Sequence, residues 1–159
     1  MIKLYRFNDS KKEYWEAWAN GNGDFTVHYG QLGGRGKSDI IKSSFLRKAE
    51  RKVEDGIASK KAEGFHEINR DDEFTLLIEY AVEDMGTKAD LDKRYALEDR
   101  VNETLGWTGL GHCDGGSTGS GTMEACCFVV DFEIAKKVIE EDLLDTEFAD
   151  YTRIFDENA

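Results

Sequence analysis

Four short runs in the first half of the chain alternate apolar and polar residues or are rich in aromatic side chains, a pattern typical of β-strands. They are Ile2–Phe7, Glu13–Ala19, Phe25–Leu32 and Ser38–Ser43. Between the second and third runs, the segment Asn20-Gly21-Asn22-Gly23-Asp24 favours a hairpin turn, because Asn and Gly tolerate positive φ. The first half is therefore predicted to form an antiparallel sheet.

One long amphipathic helix is predicted to follow this sheet. Ser44 can cap a helix that runs to about Ala62, and Gly64 is expected to stop it. Its apolar positions recur mainly every four residues: Phe45, Ala49, Val53 and Ile57, joined by Leu46. The opposite face is basic and carries Arg47, Lys48, Arg51, Lys52, Lys60 and Lys61. Such a face is either a solvated surface or a contact for an anionic partner.

The second half shows the order strand, helix, strand, strand, helix, strand. The predicted strands are Phe74–Val82, Thr108–Cys113, Thr122–Val130 and Tyr151–Phe155. One helix is predicted over Asp90–Leu105, with Leu91, Tyr95, Leu97, Val101 and Leu105 within one arc. The second helix has the apolar stripe Phe132, Ala135, Val138, Ile139 and Leu143. The glycine-rich stretch DGGSTGSG, Asp114–Gly121, is predicted to be a flexible loop. This βαββαβ order predicts the ferredoxin-like fold, which hosts many functions and selects none.

Charge divides the chain at the same place as the change in pattern. Residues 1–70 carry 14 Lys and Arg against 10 Asp and Glu, whereas residues 71–159 carry 7 against 23, within a net charge of −12. The change falls at Asn69–Glu73. We therefore predict two domains of an α+β protein, residues 1–68 and an acidic domain over residues 71–159. The acidic half is suited to a partner with a basic surface.

No targeting or membrane segment is visible in the sequence. No apolar run approaches the roughly 18 residues of a membrane span, and the first residues contain no apolar signal region. The three cysteines have no framework spacing, which suggests reduced thiols. We expect a cytoplasmic protein that does not bind a membrane.

The stretch HYGQLGGRGKS, residues 28–38, ends like a phosphate-binding loop in Gly36-Lys37-Ser38. The motif needs its first glycine five residues before Gly36, where this chain has Gln31; the nearest earlier glycine, Gly30, is one residue too far. Strand-like runs flank the stretch on both sides, whereas a phosphate loop opens into a helix. We interpret it as a strand, a glycine loop and a strand.

The first half resembles the WGR domain. That family has a strand ending in Trp-Gly-Arg, a glycine-rich link, a second strand, a Phe, an Ala/Lys-rich helix and a closing Gly-aromatic pair. The matching parts are Tyr29-Gly30-Gln31, Gly33–Gly36, Lys37–Ser44, Phe45, Arg47–Lys61 and Gly64-Phe65. The resemblance covers residues 1–68 and implies an antiparallel sheet with one long helix.

WGR modules occur in poly(ADP-ribose) polymerases, where they contact DNA ends, and in bacterial proteins. The resemblance places Tyr29 and Gln31 at the signature Trp and Arg, which are tied to nucleic-acid contact. Tyr29 keeps a stacking face, but Gln31 lacks the charged fork that suits phosphate. Arg35 and Lys37 could partly substitute for that charge.

Catalytic and metal-binding patterns are missing. His112-Cys113-Asp114 with Cys126-Cys127 has neither C-x-x-C nor H-x₃-H spacing, so packed hydrophobic cysteines are the better interpretation. The acidic clusters lack EF-hand spacing. Nothing assembles a nucleophile, a base and an orienting group. We therefore expect no enzyme, no catalytic residue, no metal and no cofactor.

The sequence favours a non-catalytic binding protein, and two hypotheses stay open. The first is an inhibitor, such as the immunity protein of an antibacterial toxin; by association with the WGR family, that toxin would be an ADP-ribosyltransferase or a nuclease. The alternative is a nucleic-acid-binding WGR protein. The candidate partner-binding residues are Tyr29, Gln31, Arg35, Lys37 and Asp114.

Overall fold

A computed structural model describes residues 1–159 and shows a mixed α+β chain with two four-stranded antiparallel sheets and three α-helices. The chain divides into two compact units, Met1–Asn69 and Arg70–Ala159. That residues 1–68 and 71–159 fold independently as domains stays a prediction.

The first unit is a meander with its strands in the order β1-β2-β3-β4. Its elements are β1 (Ile2–Phe7), β2 (Lys12–Ala19), β3 (Phe25–Gln31), β4 (Lys37–Ile41) and α1 (Ala49–Ala62). Because strand residues alternate between faces, one face of the sheet packs against α1. The core on that side consists of Leu4, Trp15, Ala17, Val27, Val53 and Phe65.

The predicted start of helix α1 is wrong: with Ser44 as its cap the helix would begin at Phe45, but it begins four residues later, at Ala49. Ser44 and Arg47 exchange backbone hydrogen bonds in a tight turn, and the Ser43 hydroxyl oxygen accepts from the Ala49 amide at 2.9 Å. Phe45 and Leu46 therefore lie at the tip of a turn, 104% and 92% exposed, and not in the apolar stripe.

The predicted end of α1 at Gly64 is confirmed. Gly64 adopts φ +96°, and the amides of Gly64 and Phe65 donate to the carbonyls of Lys61 and Lys60. This is the Schellman pattern, in which a left-handed residue satisfies the last carbonyl groups of a helix.

The second unit forms a sheet with its strands in the order β6-β7-β5-β8, and every neighbouring pair is antiparallel. After a short 3₁₀ turn at Arg70–Asp72, its elements are β5 (Phe74–Ala81), α2 (Lys88–Trp107), β6 (Gly111–Gly119), β7 (Thr122–Val129), α3 (Phe132–Leu143) and β8 (Arg153–Asp156). Helix α2 contacts β6, β7 and α3, and α3 contacts β5 and β8. Both helices therefore cover one face of the sheet.

Side-chain burial follows this arrangement. The residues that face the helices are almost fully buried: Leu76, Ile78, Met123, Ala125, Val129, Leu97, Val101, Leu105, Ala135, Ile139 and Leu143. Tyr95, which we expected within the buried arc of α2, is 51% exposed. Its side chain lies beside the Arg94 guanidinium, whose carbon is 5.3 Å from the ring centre.

The prediction of a flexible loop over Asp114–Gly121 is also wrong. Strand β6 continues to Gly119, with a bulge between Cys113 and Gly116, and it pairs with β7 beyond the bulge. Only Ser120 and Gly121 form the turn, and both have positive φ, as a two-residue hairpin requires. A side chain at Gly116 would collide with the Glu124 carbonyl oxygen, so glycine here permits close strand pairing.

Candidate functional site

The face of the second sheet that is opposite the helices concentrates charged and aromatic side chains. We call it the outer sheet face. Strand alternation assigns to it His112 from β6, Glu124, Cys126 and Phe128 from β7, Leu77 and Glu79 from β5, and Arg153 and Phe155 from β8.

Two carboxylates are paired in the centre of the outer sheet face. Glu79 on β5 lies directly opposite Glu124 on β7, and on its other side it lies opposite Arg153 on β8. Arg153 donates from Nε and from a terminal nitrogen to the two oxygens of Glu79, both at 3.1 Å. These two hydrogen bonds compensate the charge of Glu79, whereas no cation makes a comparable pair of hydrogen bonds to Glu124.

The electrostatics of the two carboxylates differ accordingly. The hydrogen bond from Arg153 lowers the pKa of Glu79 below its usual value. Burial, followed by the repulsion of Glu79, raises the pKa of Glu124. Like charges directly opposite on neighbouring strands are unfavourable, so Glu124 is the carboxylate of this pair that gains most from an additional cation.

Two aromatic side chains lie toward one end of the acidic pair on the same face, Phe155 opposite Leu77 and Phe128 opposite Thr75. Phe128 has the His112 ring at 5.7 Å between centroids and the Arg70 guanidinium 4.8 Å from its ring centre. On β8, the Arg153 guanidinium lies 3.9 Å from the ring centre of Phe155. Both rings are half-buried, so each has an apolar surface that a partner can contact.

Asp114, predicted as a partner-binding residue, lies at the border of the outer sheet face. It belongs to the β6 bulge, its side chain is 56% exposed, and its carboxylate is 3.8 Å from the Arg70 guanidinium. Burial and then the carboxylates of Glu157, Asp114 and Glu124 raise the pKa of the Cys126 thiol. These acidic groups therefore act on one region of the face.

The other four predicted residues lie at the β3–β4 connection of the first unit. Gln31, Arg35 and Lys37 are exposed. Tyr29 is half-buried against the core next to α1, and its hydroxyl donates to the Asp39 carboxylate at 3.0 Å. That hydrogen bond raises the pKa of Tyr29. Tyr29 is therefore partly a packing residue and presents only part of its ring to a partner.

The connection itself is held down by a buried polar network. His28 contacts the Glu16 carboxylate through Nδ1 at 2.7 Å and the Arg35 carbonyl oxygen through Nε2 at 2.6 Å. The Tyr14 hydroxyl donates to the Gly34 carbonyl at 2.9 Å. This network fixes the glycine-rich β3–β4 connection, Gly33–Gly36, over the sheet face opposite α1, so the connection has a structural role.

Sequence reasoning did not identify the Glu79–Glu124 pair or the Glu16–His28 pair. Each joins residues of different strands, and its detection requires the strand register. The register of β2 and β3 could have been counted outward from the Asn-Gly turn, which would have placed Glu16 opposite His28. The pairing of β5 with β7 spans a helix and a hairpin, and no local signal specifies it.

No protein family model, curated protein or solved structure matches this chain. No group of three or more His, Cys, Asp or Glu side chains is arranged to hold a metal ion. None of the three helices is long and apolar enough to cross a membrane. The function is therefore inferred from the surfaces described above.

Proposed function

We propose that this protein is a non-catalytic binding protein that recognises a basic protein surface, most simply as an inhibitor such as the immunity protein of an antibacterial toxin. The observation that carries the proposal is the Glu79–Glu124 pair of the outer sheet face, with Phe155 and Phe128 toward one end of it. The two hydrogen bonds of Arg153 there both go to Glu79, and Glu124 lies on the other side of Glu79. A lysine or arginine of the partner would supply a second cation, for Glu124.

Both the overall charge of the second unit and the groups close to its outer sheet face support a basic partner. Residues 71–159 carry 23 Asp and Glu against 7 Lys and Arg, and a field of this sign steers a basic protein and accelerates association. Close to the surface, desolvated charge pairs and buried aromatic anchors lower the dissociation rate. Phe128 and Phe155 have the position required of such anchors.

We propose a ferredoxin-like topology for the second unit and a WGR-like fold for the first. The order β6-β7-β5-β8 supports the former, because each helix connects two parallel strands that have one antiparallel strand between them. The meander followed by a single helix supports the latter. The WGR association makes an ADP-ribosyltransferase or a nuclease the first partner to test.

Nucleic-acid binding through the first unit is the second candidate. Arg35 and Lys37 are exposed at the β3–β4 connection, and Arg47, Arg51 and Lys61 are exposed near α1 or on it. The acidic second unit opposes it, because a polyanion is repelled by carboxylates within about 8 Å at physiological salt.

The experiment is an affinity capture from the native host with a matched pair of charge reversals. Glu124→Lys changes the outer sheet face, whereas Glu141→Lys makes the same change in net charge on the exposed side of α3. We expect the wild type and Glu141→Lys to retain a basic protein that Glu124→Lys loses. Equal retention by both variants would contradict the proposed face. Retention of nucleic acid, abolished by nuclease, would favour the second candidate.

A further inference from the structure

Two cysteines lie directly opposite each other on neighbouring strands of the second sheet. Cys113 on β6 is the register partner of Cys127 on β7. In the same register the Val130 amide donates to the Leu110 carbonyl at 2.9 Å, which marks that pair as hydrogen-bonded. Such pairs alternate with non-hydrogen-bonded ones, so Cys113 and Cys127 form a non-hydrogen-bonded pair, the kind whose side chains are closer.

The expected spacing suits a disulfide. Cα atoms of a non-hydrogen-bonded pair are about 4.5 Å apart, within the range of about 4.4–6.8 Å that disulfides span. Cys126, by contrast, points to the outer sheet face, because neighbouring residues of a strand alternate. The geometry therefore selects one pair out of three cysteines.

The two thiols also differ in chemical character. Cys113 is half-exposed, whereas Cys127 is fully buried beneath the helices. The neighbouring Cys127 thiol lowers the pKa of Cys113, and the Cys113 thiol raises that of Cys127. The Cys113 thiol donates to the Cys126 carbonyl oxygen at 3.3 Å. The half-exposed thiol is the more acidic one, which suits attack on a dissolved oxidant, and the buried thiol is placed to resolve the product.

We propose that Cys113 and Cys127 form a reversible redox site that a peroxide converts to an intramolecular disulfide. The Cys113 sulfur attacks one peroxide oxygen, the O–O bond breaks, and sulfenic acid and water are formed. Cys127 then attacks the Cys113 sulfur, the S–S bond forms, and the sulfenic oxygen leaves as water with the Cys127 proton. Two thiols are oxidised and one peroxide is reduced to two waters.

The fold accounts for the reversibility of the bond. Cβ atoms of directly opposed residues are about 4.5–5.5 Å apart, whereas a disulfide needs about 3.8 Å. The two Cβ atoms must therefore tilt toward each other while the Cα atoms stay about 4.5 Å apart, and a strained disulfide is readily reduced. The bulge between Cys113 and Gly116 gives β6 room to move. Because that bulge carries Asp114, oxidation would also change the border of the outer sheet face.

The test is peroxide treatment of the full chain, followed by alkylation of free thiols and mass spectrometry without reduction. A protease that cleaves after Glu124 separates Cys113 from the other two cysteines. We expect the chain to lose two hydrogen atoms, to keep one thiol that can be alkylated, and to regain all three after a dithiol reductant. The Cys126→Ser variant should form the same link, and Cys113→Ser should form none.

Several results would overturn the proposal. A link from Cys113 to Cys126, or a disulfide only between two chains, would show that the register pair is not the reactive one. Sulfinic or sulfonic acid at Cys113 without loss of two hydrogens would show that Cys127 does not resolve it. In the wild type, fragmentation of the linked peptide between Cys126 and Cys127 shows which of the two is alkylated and decides among these results, so the outcome does not depend on whether a Cys127 variant folds.

Discussion

Replacing Glu124 by Gln is expected to stabilise the protein at neutral pH, although it removes a charge from the proposed binding face. Glu124 lies directly opposite Glu79, and repulsion between the two contributes to the raised pKa of Glu124. Favourable cross-strand pairs contribute about 0.2–1 kcal/mol and like charges directly opposite are destabilising, so we take a cost of the same order. Because Arg153 already offsets the charge of Glu79, we expect a gain near the middle of that range, about 0.5 kcal/mol.

The effect must also depend on pH in a definite direction. A carboxyl whose pKa is raised on folding binds its proton more tightly in the folded state, so its ionisation destabilises the fold as pH rises through the folded pKa. Below that pKa the folded protein holds Glu124 neutral, like the glutamine of the variant. The advantage of Glu124→Gln should therefore be present at pH 7 and disappear as the pH falls toward the usual range of a carboxyl.

Urea unfolding monitored by NMR provides the assay. Trp107 is the only one of the three tryptophans in residues 70–159, so its indole signal reports on the second unit alone. With a slope of about 1–3 kcal/mol per molar urea, a gain of about 0.5 kcal/mol shifts the midpoint by about 0.2–0.5 M. Glu147→Gln, at an exposed position outside the sheet, is the control for loss of charge. A lower midpoint for Glu124→Gln than for this control at pH 7 would refute the repulsion argument.

Three further variants test the description of the first unit, each by its free energy of unfolding. Changing Phe45 and Leu46 together to Ser should alter the free energy of unfolding by less than about 0.5 kcal/mol, because both side chains are exposed. A large loss of stability would show that they pack in the core with the helix. Gly56→Ala should stabilise by roughly 0.5–1 kcal/mol, because the new Cβ would meet the Trp15 ring at an ordinary 3.4 Å; destabilisation would mean that the ring cannot adjust. Gly30→Ala should destabilise by about 1–3 kcal/mol, because its Cβ would approach the backbone of the β3–β4 connection to 2.7 Å; an unchanged midpoint would contradict that close packing.

The order of the elements was predictable because each strand and helix carries a local pattern. β1 has the predicted bounds, Ile2–Phe7, and the βαββαβ order of the second half agrees with the prediction. A run that alternates apolar and polar residues indicates a strand, regardless of which strand it pairs with. A capping box at Thr87 and Asp90 begins α2, and it depends only on residues that are close in sequence.

The errors arose where a local signal had two physical meanings. Glycines in Asp114–Gly121 suggested a loop, but Gly116 is needed where β6 approaches β7 closely. Phe45 and Leu46 fit a helical period, yet the Ser43 hydroxyl takes the Ala49 amide and so starts the helix after them. The acidic pair of the outer sheet face could not be foreseen, because it depends on a register between strands that are distant in sequence.

The stability prediction and the binding proposal constrain each other through one residue. If Glu124 were only a residue of a solvated surface, its repulsion with Glu79 would destabilise the fold without any functional benefit, and Gln would stabilise the fold more. A carboxylate that destabilises the folded chain on a face with aromatic residues is suited to a binding site, since the partner's cation removes the repulsion when the complex forms. The two measurements should therefore oppose each other: Glu124→Gln raises the midpoint of unfolding and increases the rate at which a captured basic partner dissociates. A variant that gained stability but kept the same dissociation rate would show that the repulsion between Glu79 and Glu124 plays no role in recognition of the partner.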